Sequence, residues 1–179
     1  MKMKNSTNSD QRLLKKINPF MLIGLALLFT AQLSAQTGAV NFSGTWALNE
    51  SKSKFGDAQF RMAASLLTVK QEGNNLAIDR TSSGPDGQEM KTTGKYTLDG
   101  KESENAGFMD SKTKSTIKWL ADNKSITIAS TTVFNMNGDN MEMKATETWT
   151  LDGDKILKIE TSNTMPDGEM KTSLVYDKK

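Results

Sequence analysis

The chain contains no cysteine and no histidine among its 179 residues. Without cysteine it forms no disulfide, offers no thiolate to a metal and has no site for a bacterial lipoprotein anchor. Without histidine it lacks the commonest general base, the commonest metal ligand and the usual pH switch. An enzyme would have to use carboxylate, lysine or tyrosine groups, and no spacing singles out such a set. We therefore expect no enzymatic activity and no cofactor.

A metal site is also not expected. Asn135, Asn137, Asp139 and Glu142 bring oxygen ligands close together in sequence. Their spacing does not match a calcium loop, and an ordinary turn explains them without a metal.

Long hydrophobic runs are scarce, and the main one lies near the N-terminus. Five basic residues between Lys2 and Lys16 precede the apolar stretch Phe20–Ala31, and small residues follow at Ser34-Ala35. A stretch this short is typical of a secretory signal peptide, since a membrane span needs about 20 apolar residues. An uncleaved anchor is the alternative. We predict a signal peptide over residues 1–35, one domain over residues 36–179, and no membrane span in the mature protein.

The mature chain has little net charge. Residues 1–35 hold five of the 23 basic and one of the 21 acidic residues, which leaves 18 basic and 20 acidic side chains. This balance provides no basic patch for nucleic acid. An exported domain of this size without disulfides is typical of the bacterial periplasm, so we expect a periplasmic or secreted protein.

A repeated strand pattern organises the rest of the chain. In Met143–Leu151 the odd positions carry methionine, tryptophan and leucine, while lysine and threonine fill the even ones. A period of two marks a half-buried β-strand. The pattern recurs from Met90 to Leu98 and from Met170 to Tyr176, each time with an aromatic residue six positions after the methionine. The chain is therefore a β-meander.

Eight turn signals follow Ala64 at regular intervals. They are Gly73-Asn74, Asp86-Gly87, Asp99-Gly100, Asp110-Ser111, Asp122-Asn123, Gly138-Asp139, Asp152-Gly153 and Asp167-Gly168. Such pairs supply the positive φ of tight hairpins. Nine strands separated by these turns, together with an earlier strand around Trp46, make ten. We predict an all-β, antiparallel up-and-down meander of about 8–10 strands that closes into a barrel and leaves no exposed edge.

The first strand carries Gly44-Thr45-Trp46. A Gly-x-Trp motif that opens an antiparallel meander resembles the start of lipocalin-like (calycin) barrels, and streptavidin-type barrels begin similarly. The resemblance implies that Trp46 plugs the closed end of the barrel and that the interior holds a small apolar ligand.

Alternation also selects the residues that face inward. As candidates for a ligand site it gives Arg80, Tyr96, Met90, Met143, Glu147, Trp149 and Tyr176. A buried charge needs a partner, so Arg80 either anchors a ligand carboxylate, helped by one of the tyrosines, or pairs with Glu147 or reaches water at the rim. The recurring methionines either form an adaptable ligand surface or simply fill the core.

We predict an exported, lipocalin-like protein that binds a small hydrophobic or amphipathic molecule inside its barrel. The alternative is a non-catalytic envelope or interaction module with a filled barrel. A cavity of several hundred Å³ would favour the first function. The segment 50–64 is either an ordinary packed loop or a lid, and the oligomeric state is left open.

Overall fold

The structure, a computed structural model, describes residues 38–56, 63–84, 87–107, 111–136, 138–165 and 168–179. The predicted signal peptide lies outside these residues. The compact unit extends from Gly38 to Lys179. Its described part forms ten strands: β1 (Gly44–Leu48), β2 (Leu66–Glu72), β3 (Asn75–Ser83), β4 (Glu89–Thr97), β5 (Ser103–Ala106), β6 (Lys112–Trp119), β7 (Ser125–Met136), β8 (Asp139–Asp152), β9 (Ile156–Met165) and β10 (Gly168–Lys178).

The strands form an antiparallel meander in the spatial order β4-β3-β2-β1-β10-β9-β8-β7-β6-β5. Neighbours in sequence pair with one another except for β4 and β5. The first strand meets the last, since β1 pairs with β10 and Leu48 lies opposite Tyr176. Each of the eight predicted turn pairs lies at a junction between two consecutive strands, and in three of them one residue, Asp139, Asp152 or Gly168, is itself the terminal residue of a strand. The predicted all-β fold and its ten strands are confirmed.

The barrel is nearly closed, and the remaining gap lies between β4 and β5. No backbone ladder joins these two strands in the described part of the chain. The side-chain amide of Asn105 spans the gap instead. Its Oδ1 accepts a hydrogen bond from the Lys95 amide at 2.8 Å, and its Nδ2 donates to the Lys95 carbonyl at 3.0 Å. The predicted barrel therefore forms and is nearly closed, and the gap remains because four-residue β5 is too short to cover β4, whose first five residues are exposed.

One end of the barrel is filled by aromatic side chains. Phe42 lies with its ring centroid 6.0 Å from that of Trp119 and 6.2 Å from that of Trp149. Trp46 is buried and donates its indole N–H to the Phe42 carbonyl at 3.0 Å. The predicted burial of Trp46 is thus confirmed. We call this the closed end. The buried residues packed with these aromatics include Leu67, Val69, Leu76, Ile78, Leu98, Ile117, Ile126, Ile128, Leu151, Leu157, Ile159, Leu174 and Tyr176.

The Gly-x-Trp motif has a steric basis. Lys178 of β10 reaches over the indole of Trp46, with its ammonium 5.2 Å from the ring centroid. A Cβ at Gly44 would lie 2.9 Å from Cε of Lys178, and the φ of Gly44 is +149°. Glycine therefore allows the lysine stem to cover the tryptophan and place its charge on the π face.

The opposite end, which we call the cavity end, carries the connections β1–β2, β3–β4, β5–β6, β7–β8 and β9–β10. The β1–β2 connection is the longest, and its first part is fastened to β10. Lys54 and Ser173 exchange both backbone hydrogen bonds, at 2.7 and 2.8 Å, and the amide of Asn49 donates to the Val175 carbonyl at 2.8 Å. The first part of this connection is therefore a loop packed against β10. Residues 57–62 of the predicted loop or lid lie outside the described residues.

The inner face of the strands is largely apolar and the outer face is rich in lysine, threonine and glutamate, as the sequence predicts. Within the described residues, no helix has both the length and the apolar character that crossing a membrane requires.

Candidate functional site

A cavity of about 290 Å³ lies inside the barrel towards the cavity end. Its wall takes residues from strands on opposite sides of the barrel and from both described ends of the β1–β2 connection. The lining residues are Phe55, Ala63, Ala64, Leu67, Arg80, Ser82, Thr92, Glu147, Ile159, Thr161, Asn163, Met170, Thr172, Leu174 and Tyr176. The barrel interior is therefore packed at one end and hollow at the other.

An ion pair across the barrel forms the floor of this cavity. Arg80 extends from β3 and Glu147 from β8, two strands that are not neighbours in the sheet. Nη2 of Arg80 donates to both carboxylate oxygens of Glu147, at 2.9 Å and 3.2 Å. The two side chains keep 25% and 26% of their surface exposed, as groups on a cavity wall do. Of the three roles that the sequence leaves open for Arg80, the structure shows the pairing with Glu147.

Trp149 supports this pair from the packed side. Its indole N–H donates to Oε2 of Glu147 at 2.7 Å, and the guanidinium carbon of Arg80 lies 5.8 Å from its ring centroid. Trp149 itself is fully buried and does not line the cavity. Since Glu147 and Trp149 are two residues apart on β8, the period of the strand places both on the inner face.

Tyr96 approaches the ion pair from β4. Its hydroxyl lies 3.5 Å from Nη1 of Arg80. The ring reaches that position by folding back over Gly94, where an added Cβ would meet Cε2 and Cζ of Tyr96 at 2.7 Å. Glycine two residues before the tyrosine is thus what lets the phenol turn towards Arg80. Tyr96 contacts the pair but is not part of the cavity wall.

The surroundings of the two inward-facing groups shift their pKa values. Burial alone would lower the pKa of Arg80, but the opposite charge of Glu147 and the contact with Tyr96 raise it above its ordinary value, so the guanidinium stays charged. Burial raises the pKa of Tyr176, which keeps its phenol protonated. That hydroxyl donates to the Ala64 carbonyl at 2.9 Å and so ties β10 to the β1–β2 connection.

The remaining polar groups of the wall carry no charge. They are the hydroxyl groups of Ser82, Thr92, Thr161 and Thr172 and the amide of Asn163. In the sheet Thr161 lies between Glu147 on β8 and Thr172 on β10. The next inward row joins Asn163 to Met170. Polarity therefore continues from the ion pair towards the cavity end along one wall.

The three recurring methionines lie in different environments. Met170 lines the cavity, whereas Met90 and Met143 do not. Met90 is 51% exposed, so its prediction as a barrel-interior residue is wrong. It is the second residue of β4, in the exposed stretch beside the gap, where alternation no longer separates core from solvent. Met143 is half-buried on β8, beyond the cavity wall.

Among the predicted candidates the structure therefore brings Arg80, Glu147 and Tyr176 to one cavity wall, with Trp149 and Tyr96 in contact with the ion pair. The candidates predicted from the sequence did not include the residues of β9 that line the cavity. Ile159, Thr161 and Asn163 alternate with outward-facing residues, and extending the period of two through this strand would have found them. Phe55 and Ala63 carry no such signal because they lie outside the strands.

Comparison with known proteins extends the fold assignment. No protein-family model and no curated protein sequence matches the chain. Among solved structures, the crystal structure of zebrafish ileal bile acid-binding protein complexed with cholic acid is similar, with a TM-score of 0.50 and 16% sequence identity. The match covers 77% of this chain and 98% of that one. At this identity the likeness establishes the fold, which is a calycin-like β-barrel.

Proposed function

We propose that this chain is an exported binding protein that holds a small hydrophobic or amphipathic molecule inside its barrel. The observation that carries the proposal is the cavity of about 290 Å³ in an otherwise well-packed barrel. Pockets of similar volume, about 310 and 250 Å³, lie elsewhere in the described part of the chain. What distinguishes this cavity is its place inside the barrel, since protein interiors are normally packed to the density of organic crystals. Its size lies near the lower end of small-molecule sites, which begin at about 300 Å³.

The lining supports the same proposal. Apolar side chains such as Leu67, Ile159 and Leu174 form one part of the wall, and hydroxyl groups with the Arg80–Glu147 pair form the rest. A mostly apolar pocket with a few placed polar groups is the usual composition of a ligand site. The structural neighbour is a bile acid-binding protein in complex with cholic acid, an amphipathic molecule, so the fold is compatible with such a ligand.

The alternative, an interaction module with a filled barrel, predicts no interior space. The hollow cavity end favours the binding protein over this module. We propose no reaction for the site: the residues on the wall offer an ion pair that is already satisfied and a set of ordinary hydroxyl groups.

A pair of variants on β9 tests the proposal. Thr161 lines the cavity, while its neighbour Glu160 is exposed on the outer face. The variant Thr161→Trp fills the cavity and should weaken binding of an uncharged apolar probe, N-phenylnaphthylamine, by about tenfold or more, which corresponds to roughly 1.4 kcal/mol. The matched control Glu160→Trp should bind like wild type. Equal affinities for the two variants would place the probe outside the barrel and contradict the proposal.

Export is part of the proposal and rests on the signal pattern of residues 1–35 alone. N-terminal sequencing of protein recovered from the periplasm or medium should begin at or near Gln36. Protein that retains Phe20–Ala31 and fractionates with membranes would show that the segment is an anchor.

A further inference from the structure

The cavity has no net charge. Arg80 and Glu147 are the two charged residues of its described wall, and they bear opposite signs. They are joined by two hydrogen bonds, at 2.9 and 3.2 Å, rather than held apart by solvent. The guanidinium is therefore neutralised within the protein, before any ligand enters.

A ligand carboxylate cannot easily displace Glu147. The Glu147 carboxylate is attached to the barrel and is already in contact with Arg80. Its effective concentration at Arg80 is therefore far higher than that of a free anion in solution. It is also held by the indole N–H of Trp149 at 2.7 Å. A carboxylate that approached Arg80 would lie beside this negative charge in a partly desolvated site, where like charges repel strongly. A ligand ammonium would meet the same obstacle from Arg80.

The uncharged part of the wall favours a different polar group. Ser82, Thr92, Thr161 and Thr172 offer hydroxyl groups that can both donate and accept hydrogen bonds, and Asn163 offers an amide. These groups satisfy a hydroxyl or carbonyl oxygen without bringing in a charge. Leu67, Ile159 and Leu174 provide the apolar surface for the rest of such a molecule.

We propose that the cavity selects uncharged amphiphiles whose polar end carries hydroxyl or carbonyl oxygens, and that it discriminates against carboxylates and amines. This inference rests on the proposed binding function and specifies its ligand class. Glu147 is the residue that sets the selectivity, because its charge cancels that of Arg80.

A series of probes with one chain and three head groups tests the inference in the wild-type protein. Dodecanol, dodecanoic acid and dodecylamine share a hydrocarbon chain and differ in charge at neutral pH. In calorimetric titrations below the micellar concentrations, dodecanol should bind about ten- to a hundredfold more tightly than either charged probe, the range expected for interactions of about 1.5–3 kcal/mol with a charged group. Dodecanoate binding as tightly as dodecanol would overturn the inference and leave the binding function intact. Failure of all three to bind would overturn both.

The variant Glu147→Gln provides a second readout. It keeps a side-chain oxygen for Arg80 and Trp149 but removes the negative charge, so Arg80 becomes an uncompensated cation on the cavity wall. Dodecanoate should then bind at least about tenfold more tightly than it binds wild type, while dodecanol changes little. The double variant Arg80→Gln/Glu147→Gln is the matched control and should show no such gain. A folded Glu147→Gln protein without the gain would contradict the inference, and if this variant does not fold, the wild-type series decides.

Discussion

The Arg80–Glu147 pair should stabilise the barrel as well as shape its cavity. The variant Arg80→Met keeps the length of the side chain and its apolar stem but leaves Glu147 with Trp149 as its remaining partner. Breaking a fully buried ion pair costs about 3–5 kcal/mol, and breaking an exposed one costs about 0–1 kcal/mol. Since these side chains are about one quarter exposed, we expect a loss of about 2–3 kcal/mol in the free energy of unfolding.

A double-mutant cycle isolates the interaction from other effects of each change. We expect the unfolding free energies of Arg80→Met, Glu147→Gln and the double variant to give a coupling of about 1–3 kcal/mol. The matched control is the cross-strand pair of Lys112 and Glu104, which is shorter, at 2.6 Å, but has side chains 73% and 45% exposed. The same substitutions there should give a much smaller coupling, since exposed ion pairs contribute little to stability.

Chemical denaturation at low and high salt provides the assay. Urea is suitable because it is uncharged, and the melts can be repeated at about 1 M NaCl, where the Debye length falls to about 3 Å. The coupling across the cavity floor should largely persist at high salt, whereas that of the surface pair should vanish. A coupling between Arg80 and Glu147 below about 0.5 kcal/mol, or one screened as fully as the control, would refute the assignment of this pair as a structural element.

Three further changes test single features of the fold. Trp46→Ala should cost about 3–5 kcal/mol in urea melts, the range for a buried aromatic residue, and a loss below about 1 kcal/mol would show that the closed end is not built around it. Gly94→Ala should cost about 1–3 kcal/mol because its Cβ displaces the ring of Tyr96, and the cost should largely disappear in a Tyr96→Ala background; an unchanged cost there would refute the steric explanation. Asn105→Ala should accelerate hydrogen exchange at the backbone amide of Lys95, which donates to the Asn105 side chain, and should destabilise the barrel by about 1 kcal/mol or more. Unaltered exchange at Lys95 would mean that the Asn105 side chain does not close the gap.

Much of the fold follows from local patterns. Turn pairs such as Asp152-Gly153 require positive φ, and Gly153 has a φ of +63° in the structure. Between the turns, the period of two fixes which side chains face inward, as it does for Trp149 and Leu174. Local sequence therefore predicts the strands, their antiparallel pairing and the identity of most core residues.

The contacts of the site depend on the way the barrel closes, which local patterns do not determine. Alternation places Arg80 and Glu147 on inner faces, but whether they touch depends on the relative height of β3 and β8 across the barrel. For the same reason, local patterns do not predict the gap between β4 and β5 or the exposure of Met90 beside it. The prediction of buried residues from alternation assumes that every strand has a neighbour on both sides. It fails for a strand that has a neighbour on one side.

The division of the barrel into a packed and a hollow half was likewise not predictable. It depends on how much space the aromatic side chains of the closed end fill, and Phe42 contributes to that packing from a segment that precedes the first strand. Alternation places Thr161 and Asn163 on the inner face of β9, but it does not tell that this part of the barrel is hollow.

Native mass spectrometry of the protein purified from its own host most directly tests the claim that the barrel holds a small molecule. Wild-type protein and the Glu160→Trp control should carry one added mass, released on denaturation and identified as an uncharged amphiphile, and the cavity-filled Thr161→Trp variant should lack it. Folded wild-type protein at its bare mass, or the same added mass on the Thr161→Trp variant, would contradict the account.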